Sequence, residues 1–354
     1  MILRLRPGLA EERVQELRER LEAEGLRTAR SPETARPVIA VLDRVPAALA
    51  AELEREPAVE EVVESPGVWR RVHRAFREGL SVVPVGGVNV GGGEVVVIAG
   101  PCSVEGAGAI REAAWRVREA GAQLLRGGAF KPRTSPYSFQ GFGVEGLRQL
   151  KEAAEETGLP VVTEILDAAH LPAFLDQEVD CLQIGARNMQ NFTLLKAVAT
   201  AGRPVLLKRG LAATVDEWLS AAEYLAAYGC PQIILCERGI RTFETATRNT
   251  LDLTVLPLLR EWTHLPVIVD PSHAAGIARL IPPLARAAVA AGADGVAVEV
   301  HPHPSEARSD GPQALLPGEL TALVAEARVQ AAVTGRSFHP PPRAGAARQP
   351  ARRL

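Results

Sequence analysis

The first residues alternate and then change period. ILRLR (2–6) places apolar and polar positions in turn, as a half-buried strand does. Pro7-Gly8 breaks it, and Val14, Leu17 and Leu21 then recur at helical spacing across residues 10–24. Pro37 introduces the run VIAVL, a second helical stretch starts from Pro46, and VEEVVES closes as an edge strand. This β-α-β-α-β order over residues 1–65 predicts a small ferredoxin-like or ACT-type α+β unit. Its short elements suit regulation or oligomerisation better than catalysis. Residues 66–93 read as a connector, in which SVVPVGGVNVGGG predicts a β-hairpin turning on Gly86-Gly87.

From Glu94 the rhythm becomes regular. Short apolar runs recur as VVVIAGPC, AQLLRGGAF, PVVTEIL, DCLQIGA, PVLLKRG, QIILCERG, PVIVDPSH and DGVAVEVHP, with helical stretches such as GVEGLRQLKEAAEETG between them. Strands that are apolar throughout belong in a parallel sheet covered on both faces. Eight repeats predict closure into a (β/α)₈ barrel over residues 94–336, with the last helix at about 317–334. Residues 337–354 are rich in proline and arginine without apolar periodicity, and read as a disordered tail.

Composition narrows the function classes. Apolar residues at 47% and charged residues at 23% describe a soluble globular chain, and a net charge of -2 provides no global basic field for nucleic acid or a membrane surface. MILRLRPG lacks the apolar core of a signal peptide and no apolar run reaches spanning length, so a cytoplasmic location is expected. The four cysteines show no CxxC spacing, which favours free thiols over a disulfide framework. Four lysines stand against 36 arginines, so lysine should occur where a compact ammonium is wanted.

In such barrels the chemistry lies at the C-terminal ends of the strands, and here those ends are polar. Closure makes strands 7, 8 and 1 neighbours, so Cys102, His273, Glu299 and Asp310 can converge. A thiolate, an imidazole and two carboxylates suit a divalent ion such as Mn²⁺, Fe²⁺, Co²⁺ or Zn²⁺. Read singly, Cys102 is a buried thiol and His273 a hydrogen-bonded core residue; the metal reading comes from the four together. Cys236 is a weaker thiol candidate, and His301 or His303 could substitute as ligands or orient them. Across the mouth, Arg126, Lys131, Arg133, Arg187, Lys208 and Arg238 would repel one another unless anionic ligands or acidic neighbours such as Glu164 and Asp270 neutralise them.

These strings resemble the 3-deoxy-7-phosphoheptulonate synthase family: AGPCSVE (99–105), LLRGGAFKPRTSPYSFQG (124–141), QIGARNMQN (183–191), VLLKRG (205–210), CERG (236–239), VDPSH (269–273), VEVHP and SDGPQ. The first 65 residues look like the regulatory extension of its short-form subgroup. The resemblance implies a transferase that joins phosphoenolpyruvate to erythrose 4-phosphate at the head of aromatic amino acid biosynthesis. It implies that Cys102, His273, Glu299 and Asp310 hold the metal, with Mn²⁺ the first choice, and that Cys102 and His273 thereby serve catalysis. Arg126, Lys131, Ala186, Arg187, Lys208 and Arg238 would hold phosphoenolpyruvate, Glu164 would position water, and Pro132, Arg133 and Thr134 would meet the aldose. Lys208 is the candidate proton-transfer group. A homotetramer and feedback by tyrosine or phenylalanine are the family expectations. Three rivals stand beside this reading: the sister synthase for arabinose 5-phosphate, which reads KANR where this chain reads KPRTS; a Schiff-base aldolase on Lys208; and a non-catalytic barrel.

Overall fold

The computed structural model describes residues 1–32 and 35–341. The chain divides into two compact units, Met1–Leu80 with Leu258–His264, and Ser81–Pro257 with Leu265–Leu354.

In the first unit β1 (Ile2–Leu5), β2 (Thr28–Arg30), β3 (Val38–Val41) and β4 (Val59–Val63) form an antiparallel sheet ordered β2-β3-β1-β4, with helices at Glu11–Ala23 and Ala47–Leu53. This is a ferredoxin-like βαββαβ arrangement, with one strand more than the sequence pattern predicts. The extra strand, β2, is the three-residue TAR, in which only Ala29 is buried, and so short a segment shows no periodicity. Val14, Leu17 and Leu21 point from the first helix into a core with Leu3, Leu5, Ile39 and Val41. Trp69, fully buried, stacks on His73 and Trp262.

The second unit begins with a hairpin of β5 (Val83–Val85) and β6 (Val88–Val90), Val85 opposite Val88. Its two turn residues, Gly86 and Gly87, both have positive φ, which the two-residue turn of a right-twisted hairpin requires. A lone hairpin is marginal in water. Here its four valines are buried in one cluster with barrel residues including Val96, Ile98, Leu206 and Ile268. Each fully buried valine contributes roughly 1.5–3 kcal/mol, enough to outweigh that marginality.

The barrel strands are β7 (Glu94–Gly100), β8 (Leu124–Arg126), β9 (Val161–Glu164), β10 (Cys181–Ile184), β11 (Val205–Lys208), β12 (Ile233–Glu237), β13 (Val267–Val269) and β14 (Gly295–Glu299). All pair in parallel in sequence order, and β14 closes on β7 with Glu299 opposite Gly100. The eight predicted runs are the eight strands. At the strand beginnings, buried polar groups are absorbed by backbone: Asp180 accepts from Val161 N at 2.7 Å, Asp294 from Val267 N at 2.8 Å, and Gln123 from Val97 N at 2.7 Å. At the other ends the polar side chains face one another.

The tail expected from residue 337 starts instead with a short strand, β15 (Ser337–Phe338), parallel to the start of β7. Its backbone follows the glycine stop of the last helix and finds unpaired strand edge beside Glu94 and Val95. The remainder of that expectation, residues 342–354, lies outside the described residues. Among the described residues no helix is long and apolar enough to cross a membrane.

β7 and β8 approach so closely at the mouth that a Cβ on Gly100, whose φ is +149°, would lie 2.0 Å from the carbonyl oxygen of Arg126. Gly100→Ala should therefore lower unfolding stability by at least ~3 kcal/mol, read by denaturant titration; a change under ~1 kcal/mol would contradict this packing.

Candidate active site at the barrel mouth

Cys102 follows β7, His273 lies in the short helix Pro271–Ala275 after β13, Glu299 ends β14, and Asp310 lies in the loop beyond it. One ligand atom from each falls within 4.8 Å of all the others. The Cys102 thiol donates to Asp310 Oδ2 at 3.1 Å, and His273 Nε2 lies 3.3 Å from Glu299 Oε1. His273 Nδ1 meets Asp270 Oδ2 at 2.7 Å, while Asp270 Oδ1 accepts from the His273 backbone at 3.0 Å. One aspartate thus caps the helix and fixes the ring, leaving Nε2 to face the cluster.

The loop of Asp310 is built with some strain. Asp310 has φ +53°, uncommon for a residue with a side chain. Its neighbour Ser309 shares a 2.6 Å hydroxyl bond with Ser103, and a Cβ on Gly311 would sit 2.2 Å from Pro304 O. SDG in this chain is therefore a packing requirement as well as the source of a cluster carboxylate.

The electrostatics fit a cation. Burial, reinforced by Glu299, pushes the Cys102 thiol up to about 12, and burial lowers His273 to about 4. Burial would raise Glu299, but His273 and Arg126 outweigh it and hold the carboxylate below its ordinary value. For Asp310 burial is likewise outweighed, chiefly by Arg248. Glu299 Oε1 is fully buried and has no hydrogen-bond partner, although Arg126 Nη1 lies 3.1 Å away as an ion pair. A buried carboxylate oxygen without a donor is costly. A divalent cation among a sulfur, an imidazole nitrogen and two carboxylate oxygens would satisfy it.

Beside the cluster opens a cavity of about 410 Å³. Its walls include Arg126, Lys131, Arg187, Lys208 and Arg238 from four different strand ends, with Ala186 and Glu164 between them. Pro132, Arg133 and Thr134 line the outer part, on the loop after β8. Lys131 is buried and its Nζ donates to Cys102 O at 3.1 Å, tying the cationic wall to the thiol segment. Lys208 Nζ lies 2.5 Å from Asp270 Oδ2, the oxygen that also meets His273. Burial would raise Asp270, yet His273 and Lys208 outweigh it and hold it well below the usual carboxylate range. A Cβ on Gly185 would lie 1.9 Å from Glu164 Oε1, so glycine there gives the carboxylate its space.

The structure brings the sequence candidates together around this cavity and the adjoining cluster. The alternates lie elsewhere. Cys236 is enclosed in the apolar barrel core, and His301 accepts from His303 N at 3.0 Å and faces Glu105 at 3.6 Å. Arg241, Arg248 and Asn249, from the loop after β12, also line the cavity and were not singled out. Among 36 arginines two more carried no compositional contrast, and that loop has no apolar period to place them.

The DAHP synthetase I family model matches residues 72–332. The chain is 48% identical over 315 residues to the phospho-2-dehydro-3-deoxyheptonate aldolase of Thermotoga maritima, covering 89% of this chain and 93% of that one. A crystal structure of the DAHP synthase from Thermotoga maritima superposes with a TM-score of 0.76 at 45% identity, covering 96% of this chain and 99% of that one. A 2-dehydro-3-deoxyphosphooctonate aldolase of Acidithiobacillus ferrooxidans is 35% identical over 248 residues, 64% of this chain and 86% of its own length.

The protonation states set a pH dependence. At neutral pH only Cys102 among the four must lose a proton to ligate, because His273 is already neutral and both carboxylates are held ionised. Cation binding should then release one proton, so Mn²⁺ affinity should rise about tenfold per pH unit roughly between pH 6 and 8. Calorimetric titration in buffers of different ionisation enthalpy measures both; a Cys102→Ser variant should bind more weakly with a flatter dependence.

Proposed function

The chain belongs to the DAHP synthetase I family, and we propose that its barrel mouth condenses phosphoenolpyruvate with D-erythrose 4-phosphate and water, giving 3-deoxy-D-arabino-heptulosonate 7-phosphate and phosphate. The observation that carries the reading is one cavity with a four-donor cluster on one side and, on the other, the buried cations Arg126, Lys131, Lys208 and Arg238 with the exposed Arg187 beside them. Phosphoenolpyruvate brings a carboxylate and a phosphate, which planar guanidinium groups and lysines match.

Arg126, Lys131, Arg187, Lys208 and Arg238 bind and orient the phosphoenolpyruvate anions in this scheme, with Ala186 packed among them. Pro132, Arg133 and Thr134 receive the aldose. A new bond joins C3 of phosphoenolpyruvate to the aldehyde carbon, water adds its oxygen at C2, and the C–O bond to phosphate breaks. Glu164 holds that water, and the fixed cations stabilise the electron-poor C2 centre and its adduct. Lys208 hands a proton to the aldehyde oxygen, and Asp270, in contact with both Lys208 and His273, keeps the ammonium in place. Cys102, His273, Glu299 and Asp310 would hold a divalent cation, Mn²⁺ by first choice with Fe²⁺, Co²⁺ or Zn²⁺ as alternatives, and the chemistry it supplies is polarisation of the aldehyde oxygen. Residues 1–65 serve feedback by tyrosine or phenylalanine in this scheme, and the active form is a homotetramer.

An assay of phosphate release tests the reaction. Activity should require erythrose 4-phosphate, fall at least ~10-fold with EDTA and return with Mn²⁺. Arabinose 5-phosphate should be at least ~100-fold poorer in kcat/KM; equal or preferred use of it would sink the aldose assignment. Lys208→Met should lower kcat by roughly 10²–10⁴, and borohydride should trap no substrate on the wild-type chain, whereas it would on a Schiff-base lysine. Tyrosine or phenylalanine should inhibit the full chain but not one lacking residues 1–65; unchanged inhibition after the deletion would refute the regulatory role.

A further inference from the structure

We infer that Arg248 and Asn249, on the loop that follows β12, are positioning residues that set the cation cluster from outside. The inference rests on the cation reading above and concerns residues that reading does not use. The loop is clamped at its root. Glu237 Oε1 accepts from Gly239 N at 2.7 Å and Asp252 N at 3.4 Å, and Arg209 Nη1 reaches Glu237 Oε2 at 3.1 Å and Asp252 Oδ2 at 2.9 Å. Ile240 and Thr250 exchange two backbone bonds of 2.9 Å. With both ends tied, the later part of the loop is delivered to one place.

That place is the cluster. Arg248 N donates to Ala275 O at 3.1 Å, Asn249 N to Ala274 O at 2.7 Å, and Asn249 Nδ2 to His273 O at 3.0 Å. Arg248 Nη1 donates to Gln313 Oε1 at 2.8 Å and meets Asp310 Oδ1 at 3.3 Å. Gln313 Nε2 then donates to Glu299 Oε2 at 2.7 Å. Two neighbouring residues therefore engage three of the four ligand residues: His273 through its carbonyl, Asp310 directly, and Glu299 through Gln313. The seats are close-fitting. A Cβ on Gly276 would lie 2.7 Å from Arg248 Cβ, and one on Gly239 would lie 2.7 Å from Asn249 Cβ.

The chemistry of the contacts gives them a direction. Each carboxylate has one oxygen held from outside, Oδ1 of Asp310 by Arg248 and Oε2 of Glu299 by Gln313. The remaining oxygens turn inward: Asp310 Oδ2 meets the Cys102 thiol at 3.1 Å, and Glu299 Oε1 stands 3.3 Å from His273 Nε2. Each acid is thereby restricted to a single ligating oxygen, which keeps a compact site and orders the carboxylates before a cation arrives. Gln313 has no freedom in this, since Arg248 fixes its oxygen and Glu299 its nitrogen.

A guanidinium near a cation also repels it, so the sign of one measurement decides between positioning and repulsion. The test titrates Mn²⁺ into chelator-stripped full-length protein by calorimetry, comparing wild type with Arg248→Met, Arg248→Lys and the uncharged Gln313→Leu. The unfolding temperature of the stripped protein is measured alongside. Arg248 is 37% exposed, so its replacement leaves the core intact. Mn²⁺ affinity should weaken roughly 10–100-fold in Arg248→Met and Gln313→Leu, with part regained in Arg248→Lys and with the unfolding temperature of Arg248→Met unchanged. Tight Mn²⁺ binding by wild type with equal or tighter binding by Arg248→Met would overturn the inference and leave the cation reading standing. A wild-type chain that binds no Mn²⁺ would overturn both.

Discussion

Asp270 is fully buried between an imidazole and an ammonium, and an unpartnered carboxylate there would be driven to its neutral form. It stays charged because His273 and Lys208 meet the same oxygen while its other oxygen caps the helix that carries His273. That one arrangement orients His273 in the four-donor cluster and anchors Lys208 in the cationic wall. The two halves of the mouth are joined through it. Removing either partner would leave buried charge uncompensated, which costs more than the pair contributes when intact.

The same logic divides the barrel along its axis. At the strand beginnings, polar side chains end on backbone amides and the valine hairpin fills the interior, so that end is packed and satisfied. At the mouth, satisfaction is left incomplete. A buried acceptor on Glu299 has no donor, a thiol is forced to stay protonated, and cations crowd a cavity with room for ligands. Groups that folding alone does not satisfy mark the place where substrates complete the structure.

Backbone constraints explain much of the motif spelling. Gly100 lets two strands meet, Gly185 makes room for Glu164, and Gly311 allows the turn that carries Asp310. These glycines stand beside the clustered side chains, and they account for positions that a purely chemical reading of AGPCS, QIGAR and SDG leaves idle.

How much was legible in the sequence follows from where the information is stored. Eight apolar runs alternating with helical stretches pointed to the barrel, because strands covered on both faces call for a parallel sheet and eight repeats suit closure better than an open sheet. Cyclic closure then made the convergence of Cys102, His273, Glu299 and Asp310 deducible. The three-residue β2 was too short to show a period, and Ser337–Phe338 pairs only because the start of β7 offers an edge, a fact of tertiary geometry. Arg248 and Asn249 were invisible for the same reason: their contacts are with carbonyls and carboxylates 24 to 65 positions away, brought to them by a loop with no pattern of its own. Sequence periodicity encodes which face of an element is buried; which oxygen of a carboxylate is held, and by what, is decided only when distant segments fold together.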